Sequence, residues 1–379
     1  MLNKIFHLQD AHTTVKRELI AALTTFVSLS YILFVNPNIL NAAGIPKGAA
    51  FTVTAVATAV GCFLMGLIAN YPIALAPTLG SGAFFAYNVC VGMKISWETA
   101  LAAVLVASVL FILITIFKLR EIVVDAIPQD MKYAISAGIG LFIAYIGLKN
   151  GQIIVNSDST LVALGKFSNP AVWITLFGLV LTVVLMALNV PGSIFIGMIV
   201  TAIFGMIIGQ ISLPHDIIAG APSIAPTFGQ AVFHLKDINT AQLWMVVLTF
   251  LLVTFFDTAG TLIGMTEQAG MVDKDGKIPR IGRAFLADST AMVEGAICGT
   301  APLGTSVESS AGIAMGGRTG LTAIFVGIFF IISMIFSPLL AVIPTTVTAP
   351  ALIIVGVLMA RNLKKIDWDK FEIAVPAFL

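Results

Sequence analysis

The chain has 379 residues and a formal net charge of +1, and 58% of its residues are hydrophobic while only 10% are charged. A soluble domain carries about 25% charged residues, so this composition excludes an ordinary soluble globular protein. Apolar runs of about 17 to 25 residues recur along the whole length, which is typical of membrane-spanning helices. The sequence therefore predicts an all-α, polytopic membrane protein in a lipid bilayer.

In chain order, uninterrupted spans are predicted at residues 18–35, 50–69, 98–117, 132–149, 171–189, 192–211, 241–266, 281–298, 319–336 and 348–360. Two further segments, 72–92 and 299–316, are long enough to cross the membrane but contain helix-breaking residues. These are Pro72, Pro77, Gly80 and Gly82 in the first segment, and Pro302, Gly304 and Gly312 in the second. Counting both segments gives twelve spans, and the last residues begin a thirteenth.

Basic residues favour the cytoplasmic side of a membrane, and their distribution tests this count. With the N-terminus in the cytoplasm, the inside segments hold 15 Lys and Arg residues and the outside segments hold 5. Leaving out only the 72–92 crossing changes the ratio to 7 against 13, and leaving out both broken segments gives 12 against 8. The charge distribution therefore predicts that both broken segments cross and that the N-terminus is cytoplasmic.

The two broken segments occupy matching places, because each is the third span of its half when the second half starts near residue 241. Such a pattern indicates an inverted repeat with a binding site between the breaks. Non-helical backbone at membrane depth is tolerated only inside protein or along a wet cavity. We therefore expect the two breaks to face each other across a cavity.

Five carboxylates lie in or beside apolar spans: Asp257, Glu267, Asp288, Glu294 and Glu308. A charge at the centre of a span costs about 2.5–3.5 kcal/mol, so such residues commonly mark a site or an ion path. Glu267 precedes a polar loop, which favours a solvated helix end. For the other four, a packing role with an interhelical hydrogen bond stays open beside a functional one.

Asp257 and Glu308 have the most suggestive surroundings. Asp257 lies about 24 Å along its helix from the start of the span, and Glu308 has small neighbours such as Ser306 and Gly312. A carboxylate that takes up and releases a proton can couple transport to a proton gradient. It can also accept hydrogen bonds from a neutral ligand with N–H groups. Phe84 could stack on a planar ligand or serve only in packing.

Several stretches together resemble the nucleobase–cation symporter-2 superfamily, most closely its AzgA-like branch of adenine, guanine and hypoxanthine permeases. They include "ALAPTLGSGAFFAY", "FFDTAGTLIG", "GKIPRIGRAFLADS" and "ESSAGIAMGGRTGLTA", and the resemblance runs from about residue 13 to the last residue. It implies a UraA-like fold of two inverted seven-helix repeats, here C-terminally incomplete by two helices. In that fold, short strands replace helix in the third and tenth spans.

The resemblance also implies a domain organisation and a function. Expected are a core domain (1–117 and 236–337) and a gate domain (118–235 and, in part, 338–379). Members import purine bases across the plasma membrane, commonly with a proton, and another cation is an alternative. A homodimer is a candidate assembly, and no cofactor, metal or nucleic-acid partner is expected.

By the same resemblance, Asp257 of the eighth span and Glu308 of the tenth hold the base. The remaining residues expected in the substrate site are Ser81, Gly82, Phe84, Thr305 and Ser306. Proton coupling is expected of Asp257, Glu308 and Asp288. The family commonly has Leu and Asn where this chain has Ser81 and Gly82, and an aromatic residue where it has Ser306. Another heterocycle, such as xanthine or uracil, therefore stays an alternative substrate.

Other classes are less consistent with the sequence. An intramembrane enzyme with a His-activated nucleophile is disfavoured, because all four histidines fall outside the predicted spans: His7, His12, His215 and His234. An ATP-driven pump is disfavoured because the chain has no phosphate-binding loop motif. An anion transporter of the same repeat architecture remains the nearest rival, although two acidic residues at its site would repel an anion.

Overall fold

The computed structural model describes residues 2–117, 129–158, 160–214, 216–272 and 278–378. The predicted domain boundary at 117/118, His215 and the 273–277 part of the charged loop lie outside these ranges. The chain forms two compact units. The first comprises Met1–Ile122 and Gly220–Ser337, and the second comprises Val123–Ala219 and Pro338–Leu379.

All ten predicted uninterrupted spans fall in helical segments, which confirms the all-α prediction, although the first, within Val15–Ala42, is interrupted at residues 30 and 31. Among the described residues, eight helices are long and apolar enough to cross a membrane: Val15–Ala42, Lys47–Ala69, Trp97–Ile116, Tyr133–Asn150, Pro170–Ala187, Ala241–Gln268, Gly320–Leu340 and Thr345–Lys365. Of the other two predicted spans, Ser193–Ile207 is a shorter apolar helix. Ile281–Cys298 is an 18-residue helix that carries three charged residues, Arg283, Asp288 and Glu294.

The helices and strands of the first unit are, in chain order, α1 (Leu2–Phe6), α2 (Val15–Leu29), α3 (Ile32–Ala42), α4 (Lys47–Leu64), β1 (Leu75–Pro77), α5 (Leu79–Ala83) and α6 (Trp97–Ile116). After the second unit's insertion, the first unit continues with α10 (Gln230–Phe233), α11 (Ala241–Gln268), α12 (Ile281–Cys298), β4 (Leu303–Thr305), α13 (Ser309–Ala314) and α14 (Gly320–Ser333). The core of this unit includes several phenylalanines that are at most 1% exposed, among them Phe85, Phe111, Phe250 and Phe255.

The second unit contains α7 (Gln129–Asn150), β2 (Ile154–Ser157), β3 (Leu161–Leu164), α8 (Pro170–Ala187), α9 (Ser193–Ile207), α15 (Thr345–Ala360) and α16 (Phe371–Phe378). Helices α7 and α15 pack closely through glycines. A Cβ atom added at Gly140 would lie 2.7 Å from the carbonyl oxygen of Gly356. Such small residues allow two backbones to approach within a membrane.

The first predicted span, 18–35, is not one helix, because α2 ends at Leu29 and α3 begins at Ile32. At the junction, the hydroxyl of Ser30 donates a hydrogen bond of 2.6 Å to the carbonyl oxygen of Phe26. A serine that bonds back to the preceding turn competes with the helical pattern and bends a helix. The interruption places Tyr31 between two helices.

The two broken segments lie opposite each other and pair directly, while a cavity between them stays a prediction. Strands β1 and β4 pair antiparallel, with Leu75 opposite Thr305 and Pro77 opposite Leu303. The pairing continues beyond the strands, because the N–H of Ser306 donates to the carbonyl of Ala74 at 3.0 Å. Each break thus supplies hydrogen-bond partners for the other, which is how non-helical backbone can exist at membrane depth.

Candidate functional site

Glu308 lies three residues after the end of β4 and immediately precedes α13. The hydroxyl of Tyr31 donates a hydrogen bond of 2.6 Å to its Oε1 atom. The hydroxyl of Ser306 donates to the other oxygen, Oε2. The side chain is half-buried, so the carboxylate is oriented by two donors while part of it remains accessible. The break in the helix and the small residues around it make room for this arrangement.

Asp257 lies near the middle of α11, the 28-residue helix that packs against β4 and α13. Its carboxylate is half-buried and has no hydrogen-bond partner among the residues that the structure describes. It lies within electrostatic range of Glu308. Two acidic groups that repel each other in a low-dielectric region favour a bound proton or a hydrogen-bond donor between them.

Asp288 belongs to α12 and is completely buried. Thr258, the neighbour of Asp257, donates a hydrogen bond of 2.9 Å to its Oδ2 atom. The Oδ1 atom has no partner among the described residues, and Asp257 is within electrostatic range. Asp288 is therefore connected to α11 by the kind of interhelical hydrogen bond that a packing role requires. Its unpartnered oxygen leaves a role in proton transfer open.

The predicted residues of the first break lie on α5 and at the start of the π-helix Phe84–Gly92 that follows it. Ser81 is 1% exposed, and its hydroxyl has no partner in the described part of the chain. A Cβ atom at Gly82 would meet Ala301 and the Oδ1 atom of Asn36 only at 3.6 Å. Phe84 packs edge-on against Phe250 of α11, with ring centroids 5.3 Å apart. That contact lies two helical turns before Asp257, about 10 Å along the helix axis.

Thr305 and Ser306 occupy the end of β4 and the residue after it. Thr305 faces Leu75 in the strand pair, and its buried hydroxyl has no partner within the described ranges. Ser306 orients Glu308. The end of β4 and the residue after it thus contribute two hydroxyl groups, of which only that of Ser306 contacts the Glu308 carboxylate. A hydroxyl can both donate to and accept from a neutral ligand.

Sequence reasoning missed three polar residues of the first half that contact the second half. Tyr31 is one of them, and it is only 2% exposed. Asn36 donates to Thr54 at 2.8 Å and to Thr300 at 3.2 Å. Glu18 is completely buried and accepts hydrogen bonds from the N–H groups of Arg318 and Thr319 just before α14. All three are polar residues within or beside the apolar first span, and that polarity was the sequence signal that could have identified them.

The side chains of the site are suited to binding a polar ligand by hydrogen bonds more than to covalent chemistry. It offers two carboxylates, several hydroxyls and an amide. In the described ranges, no group of three His, Cys, Asp or Glu side chains could hold a metal ion. Carboxylate and hydroxyl oxygens facing one region can accept N–H hydrogen bonds and can store a proton.

The family match and the similar sequences are all permeases. Residues 16–379 match the Permease family (Xan_ur_permease). The Bacillus subtilis guanine/hypoxanthine permease PbuG is 50% identical, and the alignment covers 100% of this chain and 88% of the relative. The Escherichia coli adenine permease AdeQ is 40% identical over 100% of this chain and 84% of its own length.

Solved structures share the fold at low sequence identity. The transmembrane domain of the cyanobacterial bicarbonate transporter BicA superposes with a TM-score of 0.70 at 15% identity, covering 96% of this chain and 92% of that one. The structure of SLC26A9 superposes with a TM-score of 0.67 at 11% identity. The superposition covers 94% of this chain and 60% of the SLC26A9 chain. At such identities the similarity concerns the architecture alone.

Proposed function

The chain belongs to the Permease family, and we propose that it is a secondary active transporter that imports purine nucleobases by proton symport. Family membership makes it a multi-pass membrane transporter and not an enzyme. The names of its relatives support guanine, hypoxanthine or adenine as the substrate. The proposed location is the plasma membrane, with a cytoplasmic N-terminus.

One observation carries the proposal: two half-buried carboxylates, Asp257 and Glu308, lie within electrostatic range beside the paired strands. Purine bases are neutral and planar, and their edges carry N–H donors that need acceptors. Glu308 is oriented by Tyr31 and Ser306, so we assign it the role of binding the edge of the base. Ser81, Gly82, Phe84 and Thr305 would then border the base on the side of β1 and α5.

Asp257 is proposed to carry the coupled proton. Its carboxylate has no hydrogen-bond partner among the described residues, and when ionised it is repelled by Glu308 and Asp288, which are both within electrostatic range. Binding of a proton relieves that repulsion, and binding of a base with N–H groups relieves it further. Proton and base therefore favour each other's binding, which is the thermodynamic requirement for symport. Alternating access would then carry both across.

The fold alone would also be consistent with an anion transporter, since BicA is a bicarbonate transporter. The two carboxylates argue against that function here, because they would repel an anion entering the site. A different heterocycle, xanthine or uracil, would meet the same acceptors and is the closer alternative.

The test is uptake of labelled hypoxanthine, guanine, adenine, xanthine and uracil into cells that lack their own permeases. Each base is competed with the other four, at two external pH values. We expect saturable uptake of at least one purine that increases as the external pH falls. Equal background uptake of all five bases would contradict the proposal, and saturable uptake without pH dependence would remove proton coupling from it.

A further inference from the structure

A second region of the first unit contains a cavity of about 830 Å³. Its walls are formed by the chain around His7 to Arg17, the end of α11, the residues before α12 and the segment from Ala314 to Thr319. The positive-inside distribution predicts that this end of the unit faces the cytoplasm. Glu308 and Asp257 are not among its lining residues, so the cavity is separate from the carboxylate site.

The cavity has an excess of positive charge. Three arginines line it, Arg17, Arg280 and Arg318, whereas its one lining carboxylate, Asp10, is paired with His7 at 3.3 Å. In the part of the chain that the structure describes, none of the three arginines forms an ion pair with a carboxylate. Among the described residues, the three guanidinium groups of the cavity therefore have no carboxylate counter-ion.

Uncharged contacts hold these arginines in place. Arg318 donates two hydrogen bonds of 2.7 Å to the carbonyl oxygens of Ile313 and Gly317. Arg280 lies 5.7 Å above the ring of Tyr71. The stem of Arg17 packs over Gly316, where an added Cβ would come within 2.8 Å of it. Arginines positioned in this way keep N–H groups available for a ligand.

A helix terminus adds to the positive potential. Helix α12 starts at the cavity after Arg280, and no side chain caps its first N–H groups. The neighbouring α14 differs, because the carboxylate of Glu18 accepts from the N–H groups of Arg318 and Thr319, which precede it. An open helix N-terminus beside arginines is a favourable environment for an anion, and for phosphate in particular.

We propose that this cavity binds the phosphate group of an organic phosphate on the cytoplasmic side. Its volume lies in the range of about 300–1,000 Å³ that accommodates small organic ligands, which favours a phosphate ester over a bare inorganic ion. Two sources supply this chemistry: a soluble phosphate monoester and the headgroup of an anionic phospholipid. The planar guanidinium groups can bind either one through paired hydrogen bonds.

The soluble source is tested with ribose 5-phosphate, which has no base and so reports only on the phosphate site. Its binding to the purified full-length chain is measured by calorimetry. Arg17→Gln and Arg280→Gln should each weaken binding about tenfold or more, because each removes a charge-assisted hydrogen bond. Arg283→Gln is the matched control, since Arg283 is an exposed arginine of the same helix start outside the cavity, and it should change affinity less than about twofold.

The lipid source is tested in nanodiscs with phosphatidylglycerol or phosphatidylcholine, by counting the lipids that stay bound in native mass spectrometry. Retention of phosphatidylglycerol that the two cavity variants abolish would identify the headgroup as the ligand. If a Gln variant does not fold, its Lys counterpart keeps the charge and should still weaken binding because it lacks the planar fork. The proposal is wrong if both probes bind the cavity variants and Arg283→Gln equally.

Discussion

Glu308 uses both carboxylate oxygens for hydroxyl donors from its own chain, and each oxygen has a second lone pair. The orientation of the carboxylate is therefore set before a ligand arrives. Ligand binding then costs little side-chain entropy at Glu308, which raises affinity without adding a contact. The proposed base site is therefore oriented in advance by Tyr31 and Ser306.

Glu308→Gln should weaken binding of the preferred base by roughly 1–3 kcal/mol, about tenfold to a hundredfold in affinity. The amide keeps the size of the side chain but replaces one acceptor oxygen by a donor. Binding is measured by competition in membranes, and Glu294→Gln serves as a control because Glu294 contacts Cys298 within its own helix. Unchanged affinity in Glu308→Gln would leave Glu308 a packing role only.

Gly82→Asn should alter which bases compete and leave transport intact. The nearest atoms to a new Cβ are 3.6 Å away, so a Cβ atom is accommodated without a clash. Its amide could donate to the Oδ1 atom of Asn36, which is buried without a partner among the described residues. Inhibition constants of the five bases are compared with those of Gly264→Asn, at a position with open space around it. An identical ranking in both variants would remove Gly82 from the specificity site.

Asp257→Asn should abolish uptake driven by a pH gradient and retain part of the exchange of base for base. The amide keeps the shape of the side chain but cannot release a proton. The two activities are measured in the same proteoliposomes, so exchange reports on folding and binding. Full gradient-driven uptake by Asp257→Asn would exclude Asp257 from the proton path.

At the scale of elements, the strand pair β1–β4 determines where the site residues lie. Gly304 sits in the middle of β4, where a Cβ atom would come within 2.7 Å of the Thr78 side chain. It would also lie 3.4 Å from the hydroxyl of Thr258, the residue that donates to Asp288. A change at Gly304 therefore affects both the strand pair and the contact between α11 and α12.

Gly304→Ala should destabilise the protein by about 1–3 kcal/mol, the usual cost of overpacking a close contact. The expected result is a lower melting temperature in detergent together with reduced base binding. Gly264→Ala in α11 is the control, because nothing lies within 4 Å of a Cβ at that position and alanine favours a helix. Equal melting temperatures of the two variants would show that the strand pair tolerates a side chain at Gly304.

The elements were largely predictable from the sequence, since apolar length identifies spans and Pro and Gly mark the breaks. The pairing of the breaks could be expected because their backbone groups need partners inside a membrane. Contacts between residues that are far apart in the sequence could not be predicted in the same way. Tyr31 and Glu308 are 277 residues apart, and no local pattern connects a tyrosine with one particular acid. Likewise, no local pattern around Glu18 indicates that its carboxylate accepts from the backbone just before α14.

At the scale of the whole molecule, the 15-to-5 distribution of basic residues predicts the orientation. A cysteine introduced at Asp275 should resist an impermeant thiol reagent in intact cells, in a background without Cys62, Cys90 and Cys298. Lys166→Cys is the control on the side predicted to be outside, and it should react rapidly. Rapid labelling at position 275 from outside would show that the predicted crossings are miscounted.

The pairing of β1 with β4 also constrains how the protein can be made. Leu75 leaves the ribosome about 230 residues before its partner Thr305, which at 5–20 residues per second is a delay of roughly 10 to 50 s. During that time the first break has no strand to pair with, and its backbone groups are costly in lipid. The nascent chain therefore has to keep residues 72–78 within an insertion machine or a water-filled space until the second half arrives. A chain released before β4 is synthesised should be a substrate for membrane proteases.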